Sequence, residues 1–398
     1  MKVVEEKQSA PGVLPAHSPL EIPLSSVDFA AEEIEAVNAV LRSGWLTMGE
    51  VTQRFEAEFA AFLGVKHAVA VTNGTAALHL ACLALGIGPG DEVICPALSF
   101  VATANAVLYT GARPVFAEVK GEYDLTIDPS DIERRISSAT RAIVVMHYGG
   151  YPCDMPAITE IAHKHGLRVV EDAAHAPGAA IEGRSCGTWG EMGCFSFFSN
   201  KNMTTGEGGM VTTNSDELAV RLRHLRSHGM TSLTLDRHQG RAYSYDVVAL
   251  GYNYRMDEIR ASLGRVQLKG LAARNERRKQ LTARYREGLS LVPEVTMPFS
   301  RSTSKSACHI LPVLLPEYAN REHVMRYMRE RGVQTSVHYP AINQFSYYQQ
   351  RDPVELPVTE AIARRELTLP LFPELRDEQV DQVVAALADA LYSQGNRG

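Results

Sequence analysis

From residue 67 onward the chain repeats one unit: a short apolar run, a turn, and a segment with apolar residues three and four apart. Runs at 67–72, 92–95, 114–116, 141–146 and 168–171 have the length of strands, and those at 75–85, 101–109 and 155–165 have helical spacing. Successive strands joined through a helix return in the same direction, whereas a tight turn reverses them. The alternation therefore predicts an α/β domain whose mainly parallel sheet is covered by helices. Two further helices, at 31–41 and 51–62, precede it and are closed by Gly44 and Gly64.

Past residue 171 come short apolar segments at 193–197 and 210–213, a helix at 216–225, and a polar stretch at 231–244 that reads as a long loop. A helix from about 256 to 289 leads into strands at 310–314 and 333–337 and helices at 323–331 and 377–391. At 398 residues the chain exceeds the size at which one hydrophobic core usually stops growing. The expected division is a mobile segment at 1–20, a large domain at 21–265 and a smaller C-terminal α+β domain at 266–398.

Bulk properties remove several functions. A net charge of −6 argues against a broad nucleic-acid footprint, and the basic run RNERR at 274–278 reads as a solvated helix face. No uncharged run is long enough to span a bilayer and the first twenty residues have no signal-peptide core, so a cytoplasmic location is expected. The six cysteines include no CxxC pair and the histidines no HExxH, so no metal is expected and buried, reduced thiols are. Neither a GxxxxGK[ST] run nor a GxGxxG after a strand occurs.

Three places carry chemistry. At Thr72-Asn73-Gly74-Thr75 a strand turns directly into a helix, whose free amides and dipole favour a phosphate; an ordinary capped turn is the alternative. At Val169 to His175 an apolar strand ends in acids at the edge where open α/β sheets bind ligands. Asp172 suits a cationic ring nitrogen and His175 a ring substituent, with a helix N-cap as the plainer reading. In the segment from Gly193 to Gly209, Lys201 stands among aromatic and small polar residues, where an unpaired ammonium is expensive to desolvate. A covalent imine removes that cost, and a lysine pushed toward neutrality is a nucleophile and general base; a surface lysine lying along the chain is the alternative. Ser196 offers a hydroxyl to a cofactor phosphate, and Gly206 to Gly209 permit close packing beside it.

Taken in order, NGTAALHLA, EDAAHAPGA, FSFFSNKNMTTGEGG and GYNYRM resemble the DegT/DnrJ/EryC1/StrS family of pyridoxal-phosphate sugar aminotransferases, from about residue 24 to near the C-terminus. The resemblance implies an aspartate-aminotransferase-like fold (fold type I), in a homodimer with shared active sites. It implies that Lys201 forms the imine with pyridoxal 5'-phosphate, which alternates with pyridoxamine 5'-phosphate, and that Asp172 pairs with the ring nitrogen. Gly74, Thr75 and Ser196 would hold the phosphate, Phe100 would stack on the ring, His175 would lie near the ring oxygen, and Asn253 would reach the other subunit's phosphate. For Phe100 and Asn253, core packing and a loop hydrogen bond are the alternatives. His338 and Tyr339 fall where relatives border the sugar-nucleotide site, though strand-end packing also accounts for them.

The implied reaction moves an amino group, from L-glutamate by family expectation, onto a keto sugar nucleotide. The run TTGEGG is similar to that of relatives acting on 4-keto-6-deoxy sugars. A free cyclic ketone of aminocyclitol type is the chief alternative substrate. Dehydratases on this scaffold carry histidine at the position of Lys201, which argues against that branch. A non-catalytic, cofactor-binding regulator is the remaining reading.

Overall fold

The computed structural model describes residues 21–232 and 234–395; the segment expected to be mobile, 1–20, lies outside them. Strands β1 (His67–Val71), β2 (Glu92–Pro96) and β3 (Arg113–Ala117) are followed by a hairpin of β4 (Val119–Gly121) and β5 (Asp124–Ile127). Then come β6 (Thr140–Met146), β7 (Arg168–Asp172), a small hairpin of β8 (Ala180–Ile181) and β9 (Arg184–Ser185), β10 (Met192–Ser196) and β11 (Gly209–Thr213). Seven of these form one sheet in the order β1-β11-β10-β7-β6-β2-β3. Only β11 runs against the others, pairing antiparallel with β1 and β10. The expected α/β architecture is thus present.

Both faces of the sheet are covered, which explains why its strands are continuously apolar rather than alternating. Side chains still sort by the two-residue period of a strand. Val69, Val71, Val93, Val144 and Val170 face one layer with helices α3 (Gly74–Ala84) and α4 (Ala102–Tyr109). Ala68 and Ala70 face the opposite layer, where α2 (Glu50–Leu63), which follows α1 (Ala31–Ser43), sets Phe55 and Phe59 against Phe195 and Phe197. Each buried phenylalanine contributes about 1.5–3 kcal/mol. The start of α2 is held by Glu258, whose buried carboxylate accepts from the N–H groups of Gly49, Val51 and Thr52 and from the Thr52 hydroxyl. Negative charge there also suits the helix dipole.

Glu258 opens the helix Glu258–Leu289, capped by the Asp257 side chain on the Arg260 N–H. Its first half packs on the sheet domain, with Gly264 against the Phe55 ring, and its second half gives Leu281, Tyr285 and Leu289 to a separate C-terminal core. The run RNERR at 274–278, expected to be a solvated face, is not wholly one: Arg278 is buried and donates to the His309 and Leu371 carbonyls. That core surrounds the antiparallel pair β12 (Leu311–Leu314) and β13 (Glu366–Leu369) and the helices Arg321–Glu330 and Asp377–Gly395. The strand expected at 333–337 is not one: it makes only single bridges, Val333 to Ile22 and Ser336 to Thr368. Its sequence, VQTSV, puts polar residues at its centre, and β13 takes the place beside β12 instead. The stretch 231–244, read as a loop, contains the short helix Thr234–His238. All six cysteines are buried and free. Among the described residues no helix is long and apolar enough to cross a membrane.

Candidate active site

The carboxyl ends of β1, β2, β6, β7 and β10 open on one cleft of about 370 Å³. Gly74, Thr75, Phe100, Asp172, His175, Ser196, Lys201, His338 and Tyr339 all line it. Asn253 does not; it is exposed and bridges Ser227.

At one end, β1 turns into α3. Asn73 caps the helix, its side chain accepting from the Ala76 N–H at 2.8 Å. The first amides of the helix have no partner within it, and Gly74 and Thr75, which carry two of them, line the cleft. The helix start lies so close to β10 that a Cβ built on Gly74 would stand 2.9 Å from Ser196 Cβ. Gly209 permits a matching approach, since its Cβ would fall 2.5 Å from the Asn73 carbonyl oxygen.

The two acids closing β7 point to opposite faces. Glu171 is structural: it accepts from the N–H groups of Gly187, Trp189 and Gly190 at 2.6–2.9 Å and lies 3.0 Å from His147 Nε2. Asp172 belongs to the cleft. Its carboxylate accepts from the Thr103 hydroxyl at 2.8 Å and the Ala174 N–H at 3.2 Å. Burial pushes the carboxyl above its ordinary range, while those hydrogen bonds and the Lys201 ammonium pull it back. Both donors are neutral, so a cation set against this carboxylate has charge to compensate.

Lys201 follows β10 on a turn closed by its N–H to the Phe198 carbonyl. The residue is half-buried at the cleft, and burial lowers its ammonium to about 8, with Asp172 opposing the shift. His175 is buried and held well below the ordinary histidine range by that burial and by the Lys201 charge. Its Nδ1 accepts from the Gly149 N–H at 3.3 Å, leaving Nε2–H to face the Tyr339 hydroxyl at 3.0 Å. Phe100 stands at the rim 53% exposed, its ring 5.8 Å from that of Tyr339. An aromatic face left open at a cleft suits a planar partner. His338 is tied to the C-terminal core through Thr368 Oγ1 (2.9 Å) and, by its N–H, Glu366 (2.8 Å); burial takes it down to about 4.

Sequence reasoning passed over Thr103, Asn200 and His309. Thr103 lies inside α4, where a threonine carries no signal, and His309 sits in the apolar run ACHILPV, where a lone histidine reads as packing. Asn200, adjacent to Lys201, turns a buried Oδ1 without a hydrogen-bond partner among the cleft-lining residues.

Residues 27–388 match the sequence model of the DegT/DnrJ/EryC1/StrS aminotransferase family. The chain belongs to that family. A curated relative, the spore coat polysaccharide biosynthesis protein SpsC of Bacillus subtilis (strain 168), is 40% identical over 376 residues, covering 92% of this chain and 96% of its own. Among solved structures, Spr1654 of Streptococcus pneumoniae in its PLP form superposes with a TM-score of 0.87 at 28% identity, over 94% of this chain and 99% of that one. The same protein has been solved in its PMP form. DesI, solved in the presence of its TDP-sugar product, gives a TM-score of 0.85 at 31% identity over 96% of each chain. This family member is therefore a pyridoxal-phosphate-dependent sugar aminotransferase of fold type I. Its cleft fits the cofactor: a cradle that a Cβ would fill between Gly74 and Ser196, a buried carboxylate with only neutral donors, and the orphaned Asn200 oxygen all lie around Lys201.

Proposed function

We propose that the enzyme moves an amino group from L-glutamate to C4 of a nucleoside-diphosphate-linked 4-keto-6-deoxy sugar, with Lys201 as cofactor anchor and proton carrier. The observation that carries this reading is a half-buried lysine, lowered to about 8, in the same cleft as a buried aspartate. When bound, pyridoxal phosphate supplies the electron sink for moving charge off the substrate carbon.

The chain's own residues do the rest. A lysine at about 8 keeps a useful neutral fraction near pH 7 and returns as an ammonium, so one side chain serves as nucleophile, base and acid. Asp172, poorly solvated and with only neutral hydrogen-bond donors, would hold the cofactor's ring nitrogen in its protonated form, and Thr103 fixes the carboxylate. Gly74 and Thr75 would present amides and Ser196 a hydroxyl to the cofactor's phosphate, Phe100 would cover a ring face, and neutral His175 would donate to the ring oxygen. His338 and Tyr339, brought in from the C-terminal core, border the sugar. We keep 21–265 and 266–398 as the two domains, with this cleft between them.

The nucleotide-linked sugar is supported by the run TTGEGG after Lys201 and by DesI, which was solved with a TDP-sugar product. A homodimer accounts for Asn253, which is exposed away from its own cleft, and for the neighbouring apolar run of Tyr243, Tyr245, Val247, Val248 and Leu250, with Tyr243 98% and Leu250 85% exposed. Contiguous apolar exposure of this kind marks an interface, and Asn253 would then serve the partner's phosphate. The deciding experiment offers L-glutamate with a panel of keto sugar nucleotides and free cyclic ketones and reads amine formation by mass. A 4-amino-4,6-dideoxy sugar nucleotide is expected; amination of the free ketones alone overturns the substrate assignment.

A further inference from the structure

Lys201 Nζ lies 3.5 Å from Nε2 of His309, a buried residue from the segment just ahead of β12. A neutral imidazole donates at one nitrogen and accepts at the other, and the tautomer is set by the bond made on the far side. Here two carbonyls set it. Asn275 Nδ2 donates to the Pro177 carbonyl at 2.8 Å; reversing that amide would oppose two acceptors, so Asn275 Oδ1 must face Asn202 Nδ2, also at 2.8 Å. Asn202 Nδ2 further donates to the Ala307 carbonyl at 2.7 Å, which forbids its reversal as well. Asn202 Oδ1 is therefore the acceptor 2.9 Å from His309 Nδ1, and Nδ1 carries the proton. Nε2 is left bare, facing the lysine.

That polarity matters for a nucleophile. An imidazole N–H directed at the amine would occupy its lone pair, whereas a bare nitrogen takes one of its N–H bonds and leaves the lone pair free. We propose that His309, fixed by Asn202 and Asn275, is a positioning residue that holds the Lys201 amine in one orientation with its lone pair available to the cofactor's aldehyde carbon. The inference rests on the reading of Lys201 as the attachment residue. In attachment the nitrogen forms a double bond to that carbon, and the aldehyde oxygen leaves as water with both amine hydrogens. The ring stays neutral because it is buried and is faced by Lys201, by His175 and His338, and by Arg278, which donates to the His309 carbonyl at 3.2 Å. Asp172, Tyr339, Cys194 and Glu207 are the other ionisable groups lining the cleft.

The test uses cofactor-free full-length protein. Covalent attachment of added pyridoxal phosphate is followed by absorbance, and pyridoxamine phosphate, which cannot attach, reports non-covalent affinity. His309→Phe keeps a planar aromatic ring but removes the acceptor; attachment should slow about 10- to 100-fold, the scale of a misplaced reacting group, with pyridoxamine phosphate affinity within about twofold of the parent. His309→Gln, whose amide nitrogen meets Asn202 Oδ1 and so turns its oxygen to the lysine, should recover most of the rate. Attachment at the parental rate in His309→Phe, or rate and affinity falling together, overturns the proposal. Asn202→Ala leaves the ring and the lysine in place and decides the matter if the phenylalanine disturbs folding: slower attachment supports the tautomer argument and an unchanged rate overturns it. Lys201→Ala separates the two levels. Attachment surviving there overturns the reading of Lys201 together with this inference, while its loss there with a parental rate in His309→Phe overturns this inference alone.

Discussion

Replacing Gly74 by alanine tests the close meeting of α3 and β10 on which the proposed phosphate cradle depends. The backbone at Gly74 is not left-handed, so alanine meets no torsional penalty, and as a helix residue it is favoured over glycine by up to about 1 kcal/mol. Against that small gain, the new Cβ would lie 2.9 Å from Ser196 Cβ, 3.3 Å from its Oγ and 3.4 Å from its Cα. Carbon pairs settle at about 3.5–4.0 Å, so the helix start and the strand must part by roughly half an ångström to one ångström. Ser196 cannot retreat easily, being buried and paired with Gly209 of β11. Overpacking of this kind costs about 1–3 kcal/mol. Imposed on the cradle, it weakens cofactor binding about 5- to 140-fold, at 1.4 kcal/mol per tenfold. The assay is the pyridoxamine phosphate Kd of cofactor-free protein, with its Tm. A double variant, Gly74→Ala with Ser196→Gly, removes the opposing Cβ and should recover Tm relative to Gly74→Ala. Parental affinity in Gly74→Ala, or no recovery of Tm in the double variant, would refute the steric argument.

Asp172→Asn keeps the shape and the Thr103 hydrogen bond but not the charge; losing one partner of a buried ion pair costs about 3–5 kcal/mol, so kcat should fall by roughly two to four orders of magnitude in steady-state assays. Cofactor-free protein should respond to pH through Lys201. Its folded value near 8 lies below the unfolded 10.5, so between those values the unfolded state binds the extra proton and stability rises with pH. Tm measured from pH 7 to 10.5 should therefore rise for the parent relative to Lys201→Met above pH 8, and a constant difference would show that burial does not lower the lysine. Glu171→Ala strands the N–H groups of Gly187, Trp189 and Gly190 and should lower urea-unfolding stability by about 3–5 kcal/mol.

The sheet was legible because its strands are buried on both faces and punctuated by helices, a pattern that survives without tertiary information. Helix Met155–His165 and strands β2 and β7 fall within a residue of their expected limits for that reason. The C-terminal part was less so: β13 pairs with a strand more than fifty residues earlier, and nothing local in ELTL announces that partner. At the cleft, residues at strand ends were readable because topology sends those ends to one edge. Asp172 was readable as the cleft acid, but the role of its neighbour was not; only the pleat turns Glu171 away to the loop at 187–190. His309 escaped notice because its meaning depends on Asn202 and Asn275, the latter seventy-three positions away from its partner.

The most direct test of the account is to find the atom that carries the cofactor. Borohydride reduction of the holoenzyme, followed by proteolysis and mass spectrometry, fixes any imine as a stable amine. The phosphopyridoxyl group is predicted on the peptide bearing Lys201 and on no other lysine; its recovery elsewhere, or on no lysine of a chain that still transaminates, would contradict the assignment.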